Sequence, residues 1–106
     1  MRTLCFIVEG QRLKADPACD FGGIVSNSQG YLRARFRFSG DWAGCKKAAI
    51  FTGPAGEEPV GLDASGCCMI PEIALTGTVV QVSVVGQKNG TRIPTNTIEF
   101  KQKTGR

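Results

Sequence analysis

Apolar residues recur at every second position in several short stretches of this chain, and this alternation is the feature that most restricts its fold. In residues 31–38 the apolar side chains alternate with one tyrosine and three arginines. The same period of two returns in residues 80–85 and 98–101. Successive side chains of a strand point to opposite faces, so each stretch predicts a β-strand with one buried and one solvated face.

Turn-forming residues separate these stretches at close intervals. Asn89-Gly90 favours a tight hairpin turn, because both central residues of that turn need positive φ. The one helical signal is Pro71–Leu75, where the fixed φ of Pro71 suits the first helical position. The chain is therefore predicted to be all-β, an antiparallel sandwich or barrel of about seven or eight short strands. One short helical turn is expected near Pro71–Leu75.

The length of 106 residues suits one domain, so we expect a single β-sandwich domain over residues 1–106. The hydrophobic share of 42% and the charged share of 21% are typical of an ordinary globular domain. The longest apolar stretch, residues 78–86, is interrupted by polar side chains and is far shorter than the roughly 20 residues of a membrane helix. The apolar block at the start is too short for a signal-peptide core. We therefore expect no membrane association and no export by a leader.

The three arginines of residues 31–38 admit two interpretations. Side chains two apart on a strand lie roughly 7 Å apart, and two charges at that distance in water repel by only about 0.6 kcal/mol. A solvated strand face can therefore carry them, and we favour this interpretation. The alternative is a surface that binds anions or phosphates, although a reader of single-stranded nucleic acid would present more exposed aromatic rings. The candidate interaction surface comprises Tyr31, Arg33, Arg35, Arg37, Lys46 and Lys47.

Five cysteines, no histidine and no C-x-x-C spacing favour neither a zinc site nor a full disulfide framework. Buried thiols are the simplest interpretation, and one exposed thiol that pairs between subunits is the alternative. Neighbours on a strand face opposite sides, so we expect one of Cys67 and Cys68 to be buried and the other exposed. Cys68 then shares a face with Ile70. Cys67 and Cys68 are the candidate interchain thiols.

Catalysis has few groups to use in this sequence. Without histidine a hydrolase needs a lysine or a carboxylate as its base, and no serine or cysteine has a recognisable nucleophile setting. The carboxylates of Glu57 and Glu58 are adjacent and tend to point apart. We expect a protein that is not an enzyme, with no catalytic residue, no metal and no cofactor.

Three stretches resemble a group of small bacteriophage and prophage structural proteins. They are FRFSGDWAGCKKAAIF at residues 36–51, CMIPEIAL at 68–75 and VSVVG at 82–86. In that group a strand ends in a Phe-Ser-x-x-Trp-x-Gly corner, and an Ile-Pro-Glu turn and a valine-rich strand follow. The resemblance covers roughly residues 36–98 and implies an immunoglobulin-like β-sandwich that decorates a head or belongs to a tail, baseplate or fibre. It implies no catalytic residue.

The corner within that motif carries two structural expectations. Asp41 can cap the turn that follows Ser39-Gly40. Trp42, the one tryptophan of the chain, can fold back and cover one end of the sandwich.

The resemblance implies a non-enzymatic structural component of a phage particle that acts through protein–protein contacts. Its expected partners are other virion proteins and further copies of itself, as a homo-oligomer or repeated copies in an assembly. Its expected location is the virion, and the host cytoplasm during synthesis. The alternative is a small phage-encoded effector that binds a host protein or nucleic acid through the basic strand face. The net charge of +4 permits nucleic-acid binding without arguing for it. A carbohydrate-binding module would need several exposed aromatics on one face.

Overall fold

A computed structural model describes residues 1–105 of the chain. It confirms the predicted all-β sandwich, with a sheet of four strands and a sheet of five. The strands are β1 Arg2–Glu9, β2 Arg12–Ala15, β3 Leu32–Phe38, β4 Lys46–Gly53, β5 Gly56–Gly61, β6 Cys67–Met69, β7 Val79–Lys88, β8 Thr91–Pro94 and β9 Ile98–Lys101.

The first sheet has the order β2-β1-β3-β6, and the second has the order β5-β4-β7-β8 with β9 also paired to β7. All pairs are antiparallel except β1 and β3, which run parallel. The parallel pair departs from the predicted antiparallel pattern. It arises because the segment 16–31 leads from β2 back to the end of the sheet where β1 began, so that β3 starts opposite Arg2.

The strand that the sequence pattern missed is β8. It has four residues and ends in Pro94, which has no N–H to give to a sheet and weakens any strand signal. The hairpin that precedes it was predicted correctly, since Asn89 and Gly90 have φ values of 47° and 81°. No helix in residues 1–105 is long and apolar enough to cross a membrane.

The core lies between the two sheets, and alternate residues of the long strands fill it. Phe6 of β1 stacks on Phe36 of β3 with ring centroids 4.9 Å apart. Phe21, from the long segment between β2 and β3, packs edge-on against Phe6 at 5.4 Å. The second sheet contributes Ala49, Phe51, Val80, Val82 and Val84, each at most 1% exposed. Burial of these side chains is the main stabilising contribution to the sandwich.

A 3₁₀ turn at Gly40–Trp42 carries the chain from β3 in the first sheet to β4 in the second. Trp42 is fully buried there, and its Nε1 donates a hydrogen bond to the Gly10 carbonyl at 2.7 Å. Its ring lies so close to β7 that a Cβ on Gly86 would come within 2.6 Å of Cζ3. Trp42 thus joins the turn after β1 to a central strand of the second sheet.

Asp41 does not cap this turn as the sequence suggested. Ser39 occupies the N-cap position, and its hydroxyl accepts a hydrogen bond from the Gly10 N–H at 3.0 Å. Asp41 is exposed in the first turn. The Ser39 hydroxyl therefore strengthens the link to the β1–β2 turn without closing the 3₁₀ turn itself.

The predicted helical turn is present as a 3₁₀ turn at Glu72–Leu75. Pro71 holds its N-cap position with a ψ of 145°, not the first helical position. Pro71 therefore lies in extended backbone between the end of β6 at Met69 and the turn. Ala74 and Leu75 are buried, so the turn closes one end of the core.

Candidate interaction surface

The outer face of the first sheet brings together side chains from all four of its strands. Arg33, Arg35 and Arg37 lie on this face, and the parallel register places Thr3, Cys5 and Ile7 of β1 beside them. On the other side of β3, Met69 lies opposite Arg33 and Cys67 opposite Arg35. β2 adds Lys14 opposite Ile7 and Arg12 opposite Glu9.

We call the cations of this surface the basic face. It consists of Arg12, Lys14, Arg33, Arg35 and Arg37, and each of these residues is exposed. The structure of residues 1–105 contains one ion pair, between Lys14 Nζ and Glu9 Oε1 at 3.5 Å. The three arginines of β3 thus make no ion pair within that part of the chain. Arg33 instead donates from Nε and Nη2 to the Thr3 hydroxyl, at 3.3 and 3.1 Å.

A shallow depression opens beside the middle of this row. Its volume is about 250 Å³, and Arg35, Arg37, Cys5, Asp16 and Ser65 contribute to its lining. Phe6 and Phe36 complete the lining, so the hollow is part polar and part apolar. The Asp16 carboxylate lies in the same lining as the two guanidinium groups, which present N–H donors in a planar fork.

The acidic side chain of Asp63, at the margin of the basic face, is held by local hydrogen bonds. Asp63 accepts hydrogen bonds from the Cys67 and Ser65 backbone N–H groups, each at 2.9 Å, and from the Ser65 hydroxyl at 2.7 Å. These bonds, the one from Cys67 foremost, lower the pKa of the Asp63 carboxyl, and Arg33 adds a smaller effect in the same direction. Asp63 therefore orders the turn before β6 and leaves the arginines free for another partner.

Lys46 and Lys47 lie elsewhere, because β4 belongs to the second sheet. Lys46 is exposed on the outer face of that sheet. Lys47 is partly buried, with its Nζ 5.1 Å from the centre of the Phe38 ring. The patch expected from the sequence therefore does not continue through these two lysines. Tyr31 precedes β3 and is 51% exposed.

The adjacent thiols do not divide into one buried and one exposed side chain. Cys67 is 9% and Cys68 is 8% exposed. Cys68 faces the core, as Ile70 does, and Cys67 faces outward but is covered. Burial raises the pKa of the Cys68 thiol to about 12, and Cys67 and Asp63 add to the shift. Neither thiol offers an open surface for a bond to a second chain.

A second pair of thiols escaped the sequence interpretation. The Cys5 N–H donates to Cys19 Sγ at 3.2 Å. Burial, followed by the neighbouring Cys19, raises the pKa of the Cys5 thiol. No local signal could have found this pair, because the path of the segment after β2 alone brings residue 19 back to β1.

Arg12 and Lys14 were also missed as members of the cationic surface. The alternation of Arg12, Leu13 and Lys14 is the local signal that could have placed two cations on one side of a strand. Its position beside β1 came from a hairpin register that no residue type specifies.

No group of three or more histidine, cysteine or acidic side chains that could hold a metal ion is found in residues 1–105. The five cysteines are all free thiols. No protein-family model matches the chain, and none of the curated proteins compared with it matches either.

Proposed function

We propose that this protein is a non-enzymatic structural component of a phage particle, and that its basic face is the surface that contacts a neighbouring virion protein. The observation that carries the proposal is the exposed row of Arg33, Arg35 and Arg37, which has no ion-pair partner within residues 1–105. The sequence resemblance over residues 36–98 supplies the class of assembly, which is a capsid decoration, tail, baseplate or fibre protein.

The charge pattern favours an acidic protein surface as the partner. Each exposed ion pair contributes about 0.2–1 kcal/mol, so a single arginine would hold a partner poorly. The three arginines lie at every second residue of one strand, so they can bind several carboxylates of a partner at once. Complementary charge also speeds encounter and fixes the register of docking more than it raises affinity.

The three stretches that resemble phage structural proteins support the proposal indirectly, because their residues stabilise the fold. Trp42 and Gly86 make the corner contact, and Pro71 begins the turn that closes the core. The motif thus maintains a rigid sandwich, and the exposed faces are left to vary with the partner.

The test is sedimentation of particles from a host that produces the phage carrying this gene. We expect the chain to co-sediment with purified particles at a constant copy number, measured by quantitative mass spectrometry. Arg33→Ser/Arg35→Ser/Arg37→Ser should lower incorporation at least about tenfold, the effect of losing roughly 1.4 kcal/mol of contact free energy. A chain found only in the soluble fraction would contradict the proposal.

A matched control removes the same charge elsewhere. Lys88→Ser/Lys101→Ser/Lys103→Ser takes three exposed cations from outside the basic face and should be incorporated like the unmodified protein. If both triple variants fail equally, net charge and not the basic face is responsible.

The unpaired arginine row also suits the alternative role, an effector that binds a host protein or nucleic acid. That role predicts a soluble protein in the lysate with salt-dependent binding to DNA or RNA. Loss of such binding in the arginine variant, together with absence from particles, would favour the effector.

A further inference from the structure

The outer face of the second sheet carries opposite charges at its two ends. At one end the register aligns Glu57, Thr52, Gln81 and Glu99 in a row across β5, β4, β7 and β9. At the other end Lys46, Gln87 and Arg92 form a row across β4, β7 and β8. The four charged residues are all exposed. We call this surface the split-charge face.

The rows between the two ends carry no charged side chain. One row contains Pro59, Ile50 and Ser83, and the next contains Gly61, Ala48, Val85 and Pro94. Ile50, Ala48 and Val85 remain partly accessible. The side chains at the centre of the face are thus small or apolar, and nothing in residues 1–105 covers them completely.

The acidic and basic rows are six residues apart along β4, which is about 20 Å at 3.3 Å per residue. The midpoint between Lys46 and Thr52 falls at residue 49, between the two uncharged rows. A rotation of 180° about an axis across the strands at this midpoint exchanges the acidic end with the basic end.

We infer that a second copy of this chain docks on the split-charge face through such a twofold axis, with the strands of the two copies running in opposite directions. The rotation keeps each strand over its own counterpart. Glu99 of β9 then lies over Arg92 of β8 in the second copy, since both strands flank β7 on the same side. Glu57 lies one strand, about 4.8 Å, to the side of the second copy's Lys46, within reach of a lysine side chain.

The charges also select this orientation against the other one. An axis along the strands would place the acidic row on the second copy's acidic row and the basic row on its basic row. Lys101 is a cation near the acidic end, two residues beyond Glu99 on the same side of β9. In the twofold arrangement it projects past the second copy's basic row, about 6.6 Å further out. It therefore falls outside the paired charges.

The contact is small. Four strands over the length from Lys46 to Thr52 cover about 400 Å² of one copy, against roughly 800 Å² in a standard interface. We therefore expect a reversible dimer that forms in the micromolar range or above and weakens with salt, because exposed charges are screened. Repeated copies in a particle would supply the concentration. The inference does not depend on the proposed function, since it uses the opposite sheet.

The experiment is sedimentation velocity of the full chain from micromolar to near-millimolar concentration, with two charge-reversed variants. Glu57→Lys/Glu99→Lys makes both ends of the face basic, and Lys46→Glu/Arg92→Glu makes both ends acidic. We expect each variant alone to lose self-association by at least about tenfold in dissociation constant. A mixture of the two should form a heterodimer, because every facing pair is again opposite in charge.

The heterodimer separates lost contact from lost fold, since misfolded variants cannot restore each other. The matched control is Glu58→Lys/Glu72→Lys, which changes the net charge as much as the first variant does. Glu58 pairs with the inward-facing Phe51, and Glu72 lies in the 3₁₀ turn, so both are outside the face. This control should dimerise more like the unmodified protein than like Glu57→Lys/Glu99→Lys.

Four results would overturn the inference. The first three are a monomer at every concentration, a dimer unaffected by either reversal, and a mixture of the reversed variants that stays monomeric. Equal loss in the control would also overturn it, because overall charge would then explain the effect.

Discussion

The two outer faces of the sandwich present the same kinds of residue in opposite arrangements. On the first sheet the cations of the basic face form one field, with Glu9 paired to Lys14 at its margin. On the second sheet Glu57 and Glu99 lie at one end, and Lys46 and Arg92 at the other. The cations of the first face repel those of a second copy, so a partner for this face would differ from it in composition. The second face is complementary to itself.

The difference shows that charge position, and not net charge, determines what a sheet face can recognise. Both faces are built on strands with a period of two, and both alternate with a buried apolar side. The net charge of +4 does not predict how the charges are arranged on either face. A protein with one face of each kind can join a copy of itself on one side and a different protein on the other.

The largest expected effect comes from Trp42, in the 3₁₀ turn that joins the two sheets. Trp42→Ala should destabilise the fold by about 3–5 kcal/mol, because it empties a fully buried site and removes the bond to Gly10. Chemical denaturation measures this value. Tyr31→Ala, at an exposed position, is the control and should change stability little. An unchanged midpoint in Trp42→Ala would mean that the two sheets do not depend on this corner.

High pH should weaken the fold through Cys68 of the first sheet. The Cys68 thiol has a pKa raised from 9.0 to about 12 by burial, so its contribution to stability is complete below pH 9. That contribution is lost as the pH rises from 9 towards 12, since the unfolded chain then ionises first. The loss at pH 11 is about 2–3 kcal/mol.

Denaturation of the unmodified protein and of Cys68→Ala at pH 8 and pH 11 isolates this effect. The pH dependence should be shallower in Cys68→Ala, and a Cys45→Ala control should retain it. Equal slopes in all three proteins would show that Cys68 ionises normally and that the first sheet is open at β6.

A smaller effect is expected at the second link between the sheets. The Asn96 side chain accepts from the Leu13 N–H at 2.7 Å and donates to the Leu13 carbonyl at 3.1 Å, as a neighbouring strand would. Asn96→Ala leaves both groups of β2 without these partners and should cost about 1–2 kcal/mol. Hydrogen exchange at Leu13 should accelerate, whereas exchange at the Val84 amide should change less.

Thr97→Ala, at the neighbouring exposed position, serves as the matched control for Asn96. Equal exchange at Leu13 in both variants would show that the β2 edge is protected without Asn96. The two sheets would then be joined mainly through Trp42.

Much of the local structure could be read from residue types. The alternation in residues 31–38 correctly placed three arginines on an outer side, and Asn89-Gly90 correctly marked a hairpin. Apart from the local errors at Asp41 and Pro71, the failures concern contacts between distant segments. Lys46 follows the arginines closely in sequence but lies on the other sheet, and Cys19 lies beside Cys5 although many residues separate them.

The sequence by itself determined the all-β class, the inward sides of β3, β7 and β9, and the solvated position of the arginines. It could do so because the period of a strand is a local property of the backbone. Only the tertiary structure decided the parallel pairing of β1 with β3, the burial of both Cys67 and Cys68, and the separation of charges on the second sheet. Those features follow from register between strands that are distant in the chain, and register depends on packing across the whole core.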